Sequence, residues 1–354
     1  MGEPAGISSE ITLKTWKNYR RKIDPFIFFG DPDHLIKTSL KLKLQIPIKI
    51  IKNISESVNS FKNYLPVYKI KLSQKVNFGS PSIKNISKVL ASIDKVVNLA
   101  YKKELSSVVT NPIEKNIIKK KNKNFNGHTF YIAKLLKVKK PIMLLKSPKI
   151  SVVPITQHLS LSNALKAINT NLIVSTTKTT NKYLKIYFGK KKPKIAVASL
   201  NPHAGDGGIF GNEEKKIIIP AIKKIRKMNI DAFGPYPADT IFNKKFSKKF
   251  DVIICMYHDQ ATIPIKTIDF DNGVNITLGI PIIRTSPDHG TALDIAGTGK
   301  ASEKNVFQRN GFRTIALPSG MVPTPLKNST VVAERFAGAV RLSRRGLLAL
   351  CRRY

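Results

Sequence analysis

An α/β fold with a largely parallel sheet is the architecture this sequence predicts, and three observations lead to it. Short apolar runs alternate with segments whose apolar residues recur at helical spacing. Several runs are apolar throughout, as strands buried on both faces must be. Polar residues follow those runs abruptly, where open α/β sheets place their ligands. FIFFG (26–30) and LQIPIKII (44–51) read as the first strands. Ile86, Val89, Leu90, Ile93, Val96, Val97 and Ala100 then mark one helix face, and SSVVTNP (106–112) returns to strand. The later units are IAVASLNP (195–202), a helix from about Asn212 to Met228, and DVIICMY (251–257). The Lys119–Lys123 segment reads as an exposed turn or helix end. Alternation of this kind builds βα units.

Composition limits what such a fold can do. The chain has 354 residues, 42% of them hydrophobic, enough for a sizeable core and for two lobes. No apolar run reaches the ~18 residues a membrane span needs, and MGEPAGISSE has neither a basic start nor an apolar core, so a cytoplasmic protein without a membrane partner is expected. Cys255 and Cys351 are the only cysteines; they make no disulfide framework and no zinc cluster. The net charge of +39 comes from 61 basic and 22 acidic residues. Its lysines are scattered among Ile and Asn rather than gathered into a stripe with aromatics. The expectation is weak, salt-sensitive association and no specific nucleic-acid partner.

Basic-residue usage changes sharply near the carboxyl end. Residues 1–305 hold 48 Lys and four Arg, whereas 306–354 hold one Lys and eight Arg. This points to two coding origins, by frameshift, fusion or an assembly join. The alternative is an ordinary amphipathic terminal helix, ERFAGAVRLSRRGLLALCRRY, docked on a surface.

The histidines carry the functional signal. FDVIICMYHDQ places His258, Asp259 and Gln260 just past a buried-looking strand. His158 follows VVPITQ, His203 lies in NPHAGDGG and His128 in FNGHTF, while His34 in DPDHL reads as a helix-start residue. Intervals of 45 residues (158 to 203) and 55 (203 to 258) are too long for a local metal motif. The three can meet only through the fold, as imidazoles at neighbouring strand ends with coordination positions left open. The competing reading is histidines hydrogen-bonded to nearby loops. GDGGIFG (205–211) can cradle an anion but is no Rossmann fingerprint, since no strand leads into GxGxxG.

Seven segments together resemble the 4-hydroxythreonine-4-phosphate dehydrogenase family. They are GEPAGISSEI, VTNPIEK, GHTFYIA, LNPHAGDGGIFGNEE, GPYPADTIF, YHDQATIPIK and GVNITLGIPIIRTSPDHGTALDIAGTGKA, in the family's order across residues 1 to about 305. The resemblance implies a two-lobed fold like that of isocitrate and isopropylmalate dehydrogenases. Residues 1–127 with 275–305 would form a dinucleotide-side lobe, 128–274 a metal and dimer lobe, and 306–354 an atypical tail. It implies oxidation of 4-phosphooxy-L-threonine with NAD or NADP, then loss of carbon dioxide to give 3-amino-2-oxopropyl phosphate, in pyridoxal phosphate biosynthesis.

Position by position, the resemblance makes His158, His203 and His258 ligands of one divalent metal, zinc or alternatively magnesium or cobalt. His128, Thr129, Lys266, Asn275 and Arg284 become substrate contacts. The segment 289–301 resembles an adenine-side loop, implying His289, Gly290, Asp294, Gly297 and Gly299 as dinucleotide contacts. Lys266 and Asp239 are the candidates for catalytic proton transfer; Asp259 is another, although an Asp after a strand also serves as a helix cap or as a histidine's partner. The family forms homodimers with the site at the interface and ligands from both subunits. Two departures stand out: the apolar strand that usually precedes GEPAGI is absent before Met1, and the closing helix after GTGKA is replaced by the arginine-rich tail. A related dehydrogenase of 4-phospho-erythronate or 4-phospho-threonate, or an inactive remnant retained as a basic binding protein, stays open as an alternative.

Overall fold

The structure is a computed structural model that describes residues 1–287 and 290–303. The arginine-rich tail and His289 therefore lie outside the described residues. Two sheets organise the chain. The smaller contains β1 (Phe28–Gly30), β2 (Ile48–Ile51) and β3 (Leu65–Lys69) in the order β1-β3-β2, all parallel. The larger contains β4 (Val108–Val109), β5 (Ile142–Lys146), β6 (Ser151–Pro154), β7 (Ile195–Ala198), β8 (Ala232–Tyr236), β9 (Val252–Cys255), β10 (Val274–Leu278) and β11 (Arg284–Ser286). Their order is β4-β11-β10-β5-β6-β9-β7-β8.

The larger sheet is parallel where the site histidines lie: β6, β9, β7 and β8 run in one direction. Antiparallel pairing enters only through β5 and β10, which join that half to the parallel pair β4 and β11. Residue 275, where the first lobe is expected to resume, falls inside β10, so this sheet runs unbroken across that position.

Twelve helices accompany the sheets among the described residues: α1 (Ser8–Tyr19), α2 (Pro32–Lys41), α3 (Glu56–Ser60), α4 (Ile86–Tyr101), α5 (Lys115–Lys121), α6 (His128–Leu135), α7 (Leu161–Ala167), α8 (Thr170–Phe188), α9 (Ile219–Lys227), α10 (Ala238–Ile241), α11 (Lys244–Ser247) and α12 (His258–Asp269). Their ends follow ordinary chemistry. Asp31 caps α2 by accepting from the amides of Asp33 and His34, with Pro32 in the first turn. Asn169 caps α8, which stops at Gly189 with φ 61°. The helix expected from Asn212 opens with one wide π turn (Glu214–Ile218) before α9. Glu214 is turned away there, its carboxylate accepting from the amides of Leu200 and Asn201 at 2.8 Å each.

Every residue of β7 and β9 is buried, which explains their unbroken apolar sequence. Alternate side chains serve opposite cores. Leu144, Val153, Ile195, Val197 and Ile254 pack with Ile173 and Leu184 of α8 and Ile222 of α9. Leu145, Val152, Ala196, Ile253 and Cys255 pack with Ala261 and Ile265 of α12. The result is a sheet covered on both faces, with loops and helix starts at the carboxyl ends of its parallel strands free to carry chemistry.

Candidate active site

A cavity of about 320 Å³ opens beside the carboxyl end of the larger sheet. Arg284 of β11 forms its charged wall and is only 2% exposed. Its Nε and Nη2 donate to Thr110 Oγ1 at 3.2 and 2.7 Å, and its Nη1 to Thr129 Oγ1 at 3.1 Å and Thr277 Oγ1 at 3.0 Å. Burial pushes the guanidinium pKa down to about 9, so it is still cationic at neutral pH. No carboxylate among the described residues pairs with it. A buried cation whose partners among the described residues are hydroxyl groups is costly unless an anion joins it.

The anion's other partners stand opposite. Helix α6 begins at His128 because Gly127, with φ 95°, makes the sharp entry. Its first amides have no carbonyl one turn back and point outward as donors. His128 is partly exposed, yet its Nε2 is shut off from solvent and has no hydrogen-bond partner among the described residues. Burial, reinforced by the positive charge of Arg284, holds the imidazole well below its ordinary pKa and therefore neutral. Asn275 Oδ1 is likewise buried without a partner. Both residues line the cavity, so the ring nitrogen and the amide oxygen they leave unused are available to a ligand.

The third wall comes from α12. His258, Thr262 and Lys266 succeed one another at four-residue spacing and all line the cavity. Gln260 fixes the start of this helix by accepting from Met256 N at 2.7 Å and donating to Ser199 O at 2.8 Å, which ties it to the end of β7. Asp259 Oδ1 lies 2.8 Å from His258 Nδ1, an arrangement that leaves Nε2 for another partner. The His158 ring stands 5.7 Å from that of His258, centroid to centroid, at the end of β6. Burial, with Lys115 and His258 adding repulsion, lowers the His158 pKa and keeps it neutral.

His203 does not join them within the chain. It packs against Phe210, with ring centroids 6.0 Å apart, and is exposed. Residues 203–207 all have positive φ, a left-handed turn in which His203 (50°), Ala204 (56°) and Asp206 (37°) are not glycine. His158 shares this feature with φ 52°. Such backbone persists where the surrounding structure and function require it. No group of three His, Cys, Asp or Glu residues suited to a metal forms among the described residues.

Asp239 also lies away from the cavity, exposed on α10, where its carboxylate accepts from Thr240. Of the expected dinucleotide contacts, Gly290 reaches the cavity rim. Asp294, Gly297 and Gly299 lie further along the loop, and His289 is outside the described residues. Gly297 has φ 70°, and a Cβ there would sit 2.8 Å from Phe78 Cγ, so glycine is required twice over.

Comparison with known proteins shows the family. The family model for the pyridoxal phosphate biosynthetic protein PdxA matches residues 21–309. A 4-hydroxythreonine-4-phosphate dehydrogenase of Bradyrhizobium diazoefficiens is 43% identical over 319 residues, covering 87% of this chain and 92% of its own. The chain belongs to the PdxA family. A second relative of that name, from Caulobacter vibrioides, is 39% identical over 85% of this chain and 91% of its own. The crystal structure of the Klebsiella pneumoniae 4-hydroxythreonine-4-phosphate dehydrogenase superposes with a TM-score of 0.81 at 32% identity, over 89% of this chain and 95% of that one. A terephthalate dihydrodiol dehydrogenase from Burkholderia xenovorans, at 22% identity and TM-score 0.59, shares the fold.

In this PdxA chain, several residues of the site had not stood out in sequence. Thr110 and Thr277 cradle Arg284, and Lys115 and Gln157 line the cavity beside His158. Thr110 alone carried a signal, since it ends the VVT strand. The others are threonine, glutamine and lysine positions that only the fold distinguishes from surface residues.

Proposed function

We propose that the chain oxidises 4-phosphooxy-L-threonine with NAD or NADP and releases carbon dioxide to give 3-amino-2-oxopropyl phosphate, in pyridoxal phosphate biosynthesis. The observation that carries this reading is Arg284, a buried cation whose partners among the described residues are hydroxyl groups, facing a cavity that also holds the paired imidazoles of His158 and His258. The amino end of α6 and Arg284 take the phosphate through charge-assisted hydrogen bonds, with Thr129 oriented by Arg284 Nη1. His128 and Asn275 turn their unused polar atoms to the same ligand. Lys266, one helical face along from His258, carries the proton of the reacting hydroxyl. Asp239 lies outside this chain's cavity, and its candidacy rests on the family resemblance alone.

His158 and His258 suit a divalent metal. Both present neutral or carboxylate-oriented imidazole beside the cavity, as zinc, cobalt or magnesium chemistry requires. When bound, such an ion polarises the substrate hydroxyl and the ketone oxygen that succeeds it, while the nicotinamide accepts the hydride. A third imidazole is needed, and His203 of the partner subunit is proposed to supply it in a homodimer. The exposed His203 turn is flanked by Ile209 and Phe210, 76% and 49% exposed. A surface of this character is what an interface between copies buries.

The test is NADH or NADPH formation by the purified chain with 4-phosphooxy-L-threonine, beside 4-phospho-erythronate, with zinc, cobalt or magnesium added or chelated. Metal-dependent turnover of the amino substrate, abolished in His258→Ala, is expected. Faster turnover of 4-phospho-erythronate would reassign the substrate, and absence of turnover by folded, metal-loaded protein would overturn the enzyme reading.

A further inference from the structure

Helix α1 places Ile7, Ile11, Glu10 and Lys14 toward residues nearly three hundred positions away in sequence. Glu10 is 1% exposed, which for a carboxylate demands well-placed partners. Its Oε1 accepts from Ala301 N at 2.9 Å and its Oε2 from Gly299 N at 3.4 Å. Lys14 pairs with Glu10 at 3.0 Å and donates to the carbonyls of Gly299 and Ala301, at 2.6 Å each. Two side chains thus meet the amides and the carbonyls of both Gly299 and Ala301. The near end of the same loop is held as well. Ile7 N donates to Thr291 O at 3.0 Å, Gly6 fits against that carbonyl where a Cβ would lie 2.7 Å away, and Ile7 and Ile11 pack with Ala292, Ile295 and Ala301.

The other side of α1 reaches the substrate cavity. Ser8 Oγ donates to Pro112 O at 3.2 Å, and Asn111 Nδ2 donates to Ser8 O at 3.3 Å and Thr12 Oγ1 at 3.0 Å. Asn111 and Pro112 both line the cavity. One helix is therefore fastened to the 291–301 loop on one side and to the cavity wall on the other. An apolar pair would stabilise a helix contact equally well. What the ion pair adds is a fixed backbone path for a loop whose glycines 297 and 299 sit at φ 70° and 82° and supply no side-chain anchorage.

We infer that Glu10 and Lys14 are positioning residues for the dinucleotide: they hold the 291–301 loop in its receptive shape and in register with the substrate cavity. The inference rests on the reading of that loop as a dinucleotide site. Glu10→Gln, Lys14→Met and Lys14→Arg are to be compared with Asp294→Ala, a direct probe of the loop. NAD and NADP affinity is measured by titration, and KM and kcat are measured for each substrate.

The expected result is a rise of about tenfold or more in dinucleotide Kd and KM for Glu10→Gln and Lys14→Met, with kcat at saturating dinucleotide and the KM of the phosphorylated substrate within about twofold. Lys14→Arg, which keeps the charge, restores most of the affinity. A lower melting temperature with unchanged dinucleotide affinity, or an equal rise in both KM values, would reduce the pair to a structural role and overturn the inference. If Asp294→Ala weakens dinucleotide binding and the clamp variants do not, only the positioning role fails. If all leave it unchanged, the loop reading fails with it. Should Glu10→Gln not fold, Lys14→Met carries the test, since Lys14 keeps 17% exposure and its loss leaves the carboxylate's two amide partners in place.

Discussion

Arg284 has a cost in the protein that a bound anion would offset. Burial lowers its pKa from the ordinary arginine range to about 9, so the charged form opposes folding below about pH 9 and the opposition fades only as pH rises through that value. Arg284→Met is therefore expected to leave the melting temperature unchanged or raise it while removing turnover. Arg284→Lys keeps the charge but loses the planar fork, and kcat/KM should fall by about 10- to 100-fold, the worth of ~1.5–3 kcal/mol in charged hydrogen bonds. A large drop in stability for the methionine variant would show that the guanidinium serves the fold. His128 makes a second prediction. Its folded pKa is depressed, so below the ordinary histidine pKa of about 6.5 the unfolded chain binds more protons and stability falls as pH falls. Burial of His34 acts in the same direction. Unfolding midpoints between about pH 7.5 and 5.5 should decline less steeply in His128→Asn than in the parent, and parallel profiles would contradict this assignment.

Helix α12 depends on the Gln260 tether between Met256 N and Ser199 O. Gln260→Ala leaves a buried amide and a buried carbonyl unmet, which should cost about 1–3 kcal/mol in denaturant unfolding and weaken metal retention through His258. Loss of stability with full metal affinity would confine Gln260 to the fold. Elements of this kind mark where the sequence was legible. Strands β1, β2, β4, β7 and β9 and helix α4 follow from apolar run or helical period, because each buries a face whose pattern burial itself imposes. The positions of His128, His158, His258, Lys266, Asn275 and Arg284 around one cavity followed from family motifs, since residues 156 positions apart, such as 128 and 284, share no local signal. That His128 and His258 open helices was hidden: HDQATIPIKTID carries Pro264 and little periodicity, and tertiary packing decides its conformation. The left-handed turn at 203–207 was hidden as well, because three of its five residues are not glycine and such residues visit that conformation singly, not in a run.

At the scale of the whole molecule, the cavity and the His203 turn form a divided set. Two imidazoles face the cavity, while the third stands on an exposed, apolar-flanked turn. On the proposed reading, the occupant of each cavity's edge is the turn of a second copy, since a two-fold interface would bring each copy's turn to the other's cavity at once. The large positive charge leaves this geometry untouched, but it makes association with anionic surfaces salt-dependent, so assays belong at physiological ionic strength. The most direct measurement is complementation between two inactive variants, His203→Ala and His258→Ala, purified separately, mixed in equal amounts and allowed to exchange subunits. With His203 acting across the interface, half of the dimers are mixed and each holds one intact site, so about a quarter of the parent NADH-forming activity should return. If the three histidines act within one chain, every site in the mixture lacks a ligand, and activity that stays at zero after proven subunit exchange would contradict the shared site.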